Sequence, residues 1–102
     1  METDSREIKR LMIHGTVQKI GFRAWVERRA LALGLNGWVR NRRDGAVEVV
    51  VAGPPPAMAQ MIDYCRNGPP LARVESIEIE DAAALDLGHR RPGEAFSLIA
   101  TQ

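Results

Sequence analysis

Apolar positions recur with two different periods along this chain, and the period distinguishes strands from helices. The run IKRLMIHGTV is rich in β-branched residues and predicts a first strand over about residues 7–14, which stops at a glycine. Apolar side chains then follow the spacing of one helical face. This pattern predicts a helix from about residue 21 or 22 to residue 33, with Gly34 as its stop; the face consists of Phe22, Trp25, Val26, Ala30 and Leu33.

A β-hairpin is the clearest reversal in the pattern. The segments GWVRN and AVEVVVA have strand character, and RRDG separates them. Asp44 and Gly45 supply the backbone conformations that a tight turn needs. We interpret the neighbouring arginines as hairpin-tip charges that discourage pairing with other strands, with attraction of an anionic substrate as the alternative; they are Arg40, Arg42 and Arg43.

A second helix is predicted after the proline run at 54–56, because prolines are tolerated where a helix begins. Its apolar stripe contains Met58, Met61, Ile62 and Cys65, and the sequence Asn-Gly at 67–68 ends it. The next apolar residues alternate imperfectly with glutamates, which predicts an edge strand with a solvated acidic face near residues 74–80. Residues 81–94 lack a period and are predicted to form a loop before a short last strand at about 96–100.

This order, βαββαβ plus a short C-terminal strand, predicts an α+β fold. Two crossover helices on one face of an antiparallel sheet form a ferredoxin-like α/β sandwich. The length of 102 residues fits one domain over 1–102, with a core at about 7–100. Because this architecture hosts many functions, the site must identify the activity.

Composition narrows the classes of partner. Fourteen basic residues oppose thirteen acidic ones, a balance unlike that of most duplex-binding proteins, so we expect no nucleic-acid partner. A single cysteine, no cluster of metal ligands and no long apolar run predict a cytoplasmic protein without a membrane anchor. We expect neither a metal nor another cofactor, and a monomeric chain.

The segment from Gly15 to Arg23 joins a strand to a helix N-terminus, where free backbone N–H groups favour an anion. Arg23 in the first helical turn opposes the helix dipole unless an anion lies beside it; the alternative is a solvated arginine. Asn41 ends the strand before the hairpin turn, where its side chain either stabilises the turn or orients a water or ligand. We interpret His14, His89 and Cys65 as structural or exposed residues.

Two motifs together resemble a known family. GTVQKIGFR, followed after one helix by LGLNGWVRNRRDGAVEVVVAG, is similar to the acylphosphatase hallmarks GxVQGVxFR and GWVxNxxDGxVxxxxxG. The resemblance covers roughly residues 8–80. It implies a ferredoxin-like enzyme that hydrolyses small-molecule acyl phosphates to a carboxylate and inorganic phosphate, without a metal or covalent intermediate. Inorganic phosphate is then both the product and an expected inhibitor.

The resemblance also implies roles for individual residues. Arg23 is expected to hold the phosphoryl group, and Asn41 to orient the attacking water. The phosphate-binding loop that supplies backbone N–H groups consists of Gln18, Lys19, Ile20, Gly21, Phe22 and Arg23. A carboxylate leaves without help from a general acid, so such a site needs few other groups.

The chain departs from the family pattern at two places. Lys19 replaces the usual glycine, so either this residue adopts a strained positive φ or the loop tolerates a negative φ here; we favour the strained loop. The C-terminal FSLIATQ lacks the usual basic-aromatic ending, which removes a possible contact near Arg23. Two other functions stay open: a catalytically silent domain that binds a small anion, and an RNA-binding module of the same topology.

Overall fold

The computed structural model describes residues 6–102, which contain five strands and two α-helices. The elements are β1 (Glu7–Thr16), α1 (Phe22–Ala32), β2 (Asn36–Asn41), β3 (Val47–Gly53), α2 (Pro55–Asn67), β4 (Arg73–Asp81), a 3-10 helix (Ala84–His89) and β5 (Phe96–Leu98). Neither α-helix in this part of the chain is long and apolar enough to cross a membrane.

The sheet has the strand order β4-β1-β3-β2-β5. The predicted edge position of β4 and the βαββαβ order are confirmed, and β1, β2, β3 and β4 pair antiparallel. The prediction of an antiparallel sheet is wrong for β5, which pairs parallel with β2. After β4 the chain crosses the sheet to its opposite edge and there enters β5 in the direction of β2.

Both helices pack on one sheet face and form the core with it. Strand alternation brings the inward-facing residues of β1, β2 and β3 to this face, and most of the predicted helix stripes bury against them. Trp25, Leu33 and Ile62 are only half-buried. The buried core includes Leu11, Ile13, Val39, Val47, Val49, Val51, Phe22, Val26, Ala30, Met58, Met61 and Cys65.

The opposite sheet face carries a buried carboxylate. Glu48 on β3 is only 3% exposed and accepts hydrogen bonds from Arg10 Nε at 2.9 Å and Arg40 Nε at 2.8 Å. Arg42 Nη1 lies 3.3 Å from the same carboxylate. The interpretation as a hairpin-tip charge is therefore wrong for Arg40, which is the cross-strand partner of Glu48 and points to this face. Arg42 does lie in the hairpin turn, and its guanidinium reaches the same carboxylate.

The 3-10 helix covers part of this same face. The prediction of a loop over residues 81–94 is therefore wrong for the residues of this helix. Its Asp86 carbonyl accepts a hydrogen bond of 2.7 Å from Trp38 Nε1, and His89 packs edge-on against the Trp38 ring. The Asp86 carboxylate in turn accepts from the Ala83 N–H at 2.9 Å. Such a short helix has too few residues to produce a visible apolar period.

Two strand boundaries also differ from the prediction. β1 continues beyond residue 14 to Thr16 through an irregular pairing with β4 between His14 and Gly15. β5 ends at Leu98 rather than near 100, yet residues 99–102 continue beside β2. The Ile99 N–H donates to the Val39 carbonyl at 3.0 Å, so the C-terminal segment leads towards the end of β2.

Candidate active site

A tight loop joins β1 to α1 and leaves the helix N-terminus open. Gly21 is the residue before α1 and has φ +80°, a conformation that costs glycine little. The first turn of α1 has no side-chain cap and no acidic residue. Within residues 6–102, the N–H groups of residues 19–23 donate to no other protein group. Together with the helix dipole, these free donors favour an anion.

Lys19 adopts φ +65°, as the strained-loop hypothesis predicted. It is the only non-glycine residue with positive φ in the described part of the chain. A side chain in this left-handed conformation costs about 1–2 kcal/mol of backbone strain. Such strain persists only where surrounding contacts hold the backbone in place.

Gln18 supplies contacts of this kind. Its side-chain amide donates to the Arg42 carbonyl at 2.7 Å and to the Ala46 carbonyl at 2.8 Å, so it ties the loop to the β2–β3 hairpin. The hairpin is itself rigid, because Asp44 Oδ1 accepts a hydrogen bond of 3.0 Å from the Ala46 N–H. The Gln18 side chain thus holds the loop in place against the hairpin.

Asn41 is the last residue of β2 and lies between two neighbouring segments. It pairs with Val47 of β3 on one side, and on the other its carbonyl accepts a hydrogen bond of 3.1 Å from the Gln102 N–H. Strand alternation puts Asn41 on the same face as Val39, which belongs to the core beneath the helices. The amide therefore projects towards the start of α1.

One pocket of about 200 Å³ brings the two principal candidates together. Arg23 from α1 and Asn41 from β2 both line it, with Lys19, Gly21 and Phe22 of the predicted loop. Gln18 and Ile20 are not among the lining residues: Gln18 contacts the hairpin, and Ile20 packs against the core. The remaining lining residues were not predicted from the sequence; they are Val17, Ala24 and Leu98.

The pocket has a positive electrostatic character. Among residues 6–102, no carboxylate lies within ion-pair distance of Arg23, and no acidic residue lines the pocket. A cation at the N-terminal turn therefore adds to the positive end of the helix dipole instead of being neutralised. A bound phosphoryl group reverses this unfavourable arrangement, because it lies between the guanidinium and the free N–H groups.

The other candidate nucleophiles and bases lie elsewhere. Cys65 is fully buried on α2, and burial raises the pKa of its thiol to about 12, so it is neutral at physiological pH. His14 lies 3.3 Å from Glu78 on the edge strand, and His89 packs on Trp38. In the described residues, no group of three His, Cys, Asp or Glu side chains is placed to hold a metal ion.

Sequences of known proteins are similar to this chain. The family model described as acylphosphatase matches residues 9–89. An acylphosphatase from Bradyrhizobium diazoefficiens is 55% identical over 97 residues, which is 95% of this chain and 98% of the relative.

Two solved structures extend the agreement to three dimensions. The acylphosphatase from Bacillus subtilis has a TM-score of 0.78 and 31% identity, covering 93% of this chain and 99% of that one. The acylphosphatase from Coxiella burnetii has a TM-score of 0.80 and 26% identity, covering 92% and 93%. By sequence, by fold and by the loop that precedes α1, the chain belongs to the acylphosphatase family.

Proposed function

We propose that the protein hydrolyses acyl phosphates in the pocket between the N-terminus of α1 and the end of β2. The observation that carries this proposal is the meeting of Arg23 and Asn41 on one pocket that no acidic residue within 6–102 lines. Family membership supports the same reaction class, since the relatives are named acylphosphatases. The products are a carboxylate and inorganic phosphate.

Arg23 binds the phosphoryl group in this proposal. Its planar guanidinium donates two parallel hydrogen bonds to phosphoryl oxygens, while the loop N–H groups of residues 19–23 bind the others. Phosphoryl transfer depends mainly on positioning and charge neutralisation, and both groups supply these before the reaction starts. Two observations on residues 6–102 support this role: the loop N–H groups are free, and the Arg23 guanidinium forms no ion pair.

Asn41 orients the attacking water. Its side-chain carbonyl accepts a hydrogen bond from the water, which holds a lone pair towards phosphorus, in line with the acyl oxygen. The water oxygen forms a bond to phosphorus as the bond between phosphorus and the acyl oxygen breaks, and the released proton passes to solvent. The strand pairing and the Gln102 contact that fix Asn41 support a positioning role.

The leaving group accounts for the lack of an acid in this mechanism. A carboxylate is stable at neutral pH and departs unprotonated, whereas the alkoxide of an ordinary phosphomonoester needs a proton. The pocket-lining residues include no histidine, carboxylic acid or cysteine to provide one. We therefore propose selectivity for acyl phosphates over phosphomonoesters.

The alternatives are less well supported. An RNA-binding sheet of this topology needs aromatic side chains exposed on its open face. Here Trp38 is fully buried beneath the 3-10 helix, and Trp25 packs against Phe22 and Tyr64 on the helical side. A silent anion-binding domain has the same pocket as the enzyme, so turnover must distinguish these two.

The proposal also covers the oligomeric state of the protein, its location in the cell and its inhibition. We propose a monomer that works in the cytoplasm, without a cofactor or nucleic-acid partner, and is inhibited by its product phosphate. The balanced charge and the single buried cysteine support it. Sedimentation of the purified chain at assay concentration tests the monomer.

Turnover of benzoyl phosphate by the purified protein tests the function. We expect rapid hydrolysis, with the alkyl phosphomonoester glycerol phosphate hydrolysed far more slowly, because its alkoxide needs a proton to leave. In heavy-oxygen water, the label is expected in phosphate and not in benzoate, because water attacks phosphorus. Comparable rates on both substrates contradict the mechanism, and phosphate binding without turnover identifies the silent anion-binding domain.

A further inference from the structure

The ammonium group of Lys19 is a cation that the proposed reaction does not use. We propose that Lys19 selects acyl phosphates whose acyl group carries a further negative charge, such as a second carboxylate. This inference rests on the proposed function and names a substrate class within it.

The position of Lys19 is fixed by its neighbours. Its backbone has φ +65°, and the preceding Gln18 anchors the loop with two hydrogen bonds to the hairpin. A glycine would avoid the strain, so the side chain is retained at an energetic cost. Strained backbone conformations concentrate at binding and catalytic sites.

The side chain is free to meet a ligand. Lys19 is exposed, and it lines the same pocket as Arg23 and Asn41. Within residues 6–102, its ammonium forms no hydrogen bond or ion pair with the protein, whereas Lys9 on β1 is paired with Asp81. A lysine side chain has a flexible four-carbon stem, so its charge reaches beyond the loop backbone.

The two ends of the substrate face different surroundings. Arg23 and the loop N–H groups take the phosphoryl group, and the walls formed by Val17 and Phe22 are buried, so the acyl group must extend towards solvent. Lys19 is the exposed cation among the residues that line the pocket. Since no acidic residue in the described part of the chain lines the pocket, an anionic acyl group meets attraction there and no opposing carboxylate.

Attraction between two exposed opposite charges changes the binding free energy only modestly. At low ionic strength we expect Lys19 to raise kcat/KM for an anionic acyl phosphate about 3- to 10-fold. The advantage is expected to fall towards unity at about 0.5 M salt, because added ions screen charges in an open site. A substrate with a neutral acyl group gains only the attraction between the ammonium and its phosphoryl group, which all acyl phosphates share.

The experiment compares benzoyl phosphate with para- and meta-carboxybenzoyl phosphate, which add one carboxylate to the same ring. Lys19→Gln removes the charge and keeps a side chain at positive φ. We expect it to lower kcat/KM for at least one carboxybenzoyl substrate about 3- to 10-fold more than for benzoyl phosphate at low salt. Lys19→Arg is expected to restore the parent values.

Arg28→Gln is the matched control, because Arg28 is an exposed cation on α1 outside the pocket. It is expected to leave the ratio between the substrates unchanged. An equal loss on all substrates in Lys19→Gln, an equal response in Arg28→Gln, or no response at all overturns charge selection while benzoyl phosphate hydrolysis still supports the proposed function. Failure of the parent to hydrolyse any acyl phosphate overturns both.

Discussion

Replacing Lys19 with glycine is expected to stabilise the folded protein. Lys19 has φ +65°, where a side chain costs about 1–2 kcal/mol relative to glycine. Glycine also adds conformational freedom to the unfolded chain, which reduces the stabilisation from strain relief by about 0.4–1 kcal/mol. The expected net increase in the free energy of unfolding is about 0.5–1 kcal/mol.

This increase is within reach of ordinary denaturation experiments. For a chain of this length, it corresponds to a rise in Tm of about 2–6 °C and to a higher urea midpoint with an unchanged m-value. Lys19→Ala is the matched control, because it removes the ammonium but keeps the Cβ atom at positive φ. We expect its midpoint to lie close to that of the parent.

The control separates strain from charge. If Lys19→Ala and Lys19→Gly stabilise equally, repulsion between Lys19 and the cationic pocket is responsible rather than the backbone. A lower urea midpoint for Lys19→Gly refutes the strain argument altogether, because it means that the loop gains nothing from a residue that adopts positive φ freely.

Three further predictions concern the reaction and the core. Asn41→Ala is expected to lower kcat for benzoyl phosphate about 100-fold or more while leaving the inhibition constant of phosphate nearly unchanged; a parallel loss of phosphate affinity means that Asn41 binds ligand rather than water. Activity is expected to survive excess EDTA, because Arg23 and backbone N–H groups neutralise the phosphoryl charge; activity lost on chelation and restored by a divalent cation contradicts this. Burial raises the pKa of Cys65 to about 12 from 9.0, so the stability that the buried neutral thiol contributes is fully present below about pH 9 and is lost as the pH rises towards 12. Between about pH 8 and 10 the parent should therefore lose about 1 kcal/mol more unfolding free energy than Cys65→Ala, and identical losses exclude the shift.

The hairpin turn and the end of α1 were predictable because each depends on a few neighbouring residues. Asp44 and Gly45 predicted the hairpin, and Asp44 Oδ1 does accept the Ala46 N–H while Gly45 has φ +100°. Gly34 follows α1 with φ +72°, as a helix stop requires. Arg23 and Asn41 were assigned by resemblance to a family, and the fold brings both to one pocket.

Features that depend on tertiary contacts were not predictable from single segments. The parallel pairing of β5 depends on the path between the two sheet edges, which has no local period. The bracing role of Gln18 depends on carbonyl groups 24 and 28 positions away. The burial of Glu48 becomes understandable only when strand register places Arg40 beside it on the same face. Leu98 joins the pocket through the same parallel pairing.

The kcat of Arg23→Lys for benzoyl phosphate tests directly whether the Arg23 guanidinium binds the phosphoryl group during hydrolysis. Lysine keeps the charge but lacks the planar fork that donates two hydrogen bonds to one phosphoryl group. We expect a loss of about 1,000-fold or more in kcat with weaker phosphate inhibition, and Arg28→Lys, outside the pocket, is expected to retain the parent rate. An Arg23→Lys variant with near-parental kcat and phosphate affinity would contradict the central claim, since another group must then bind the phosphoryl oxygens.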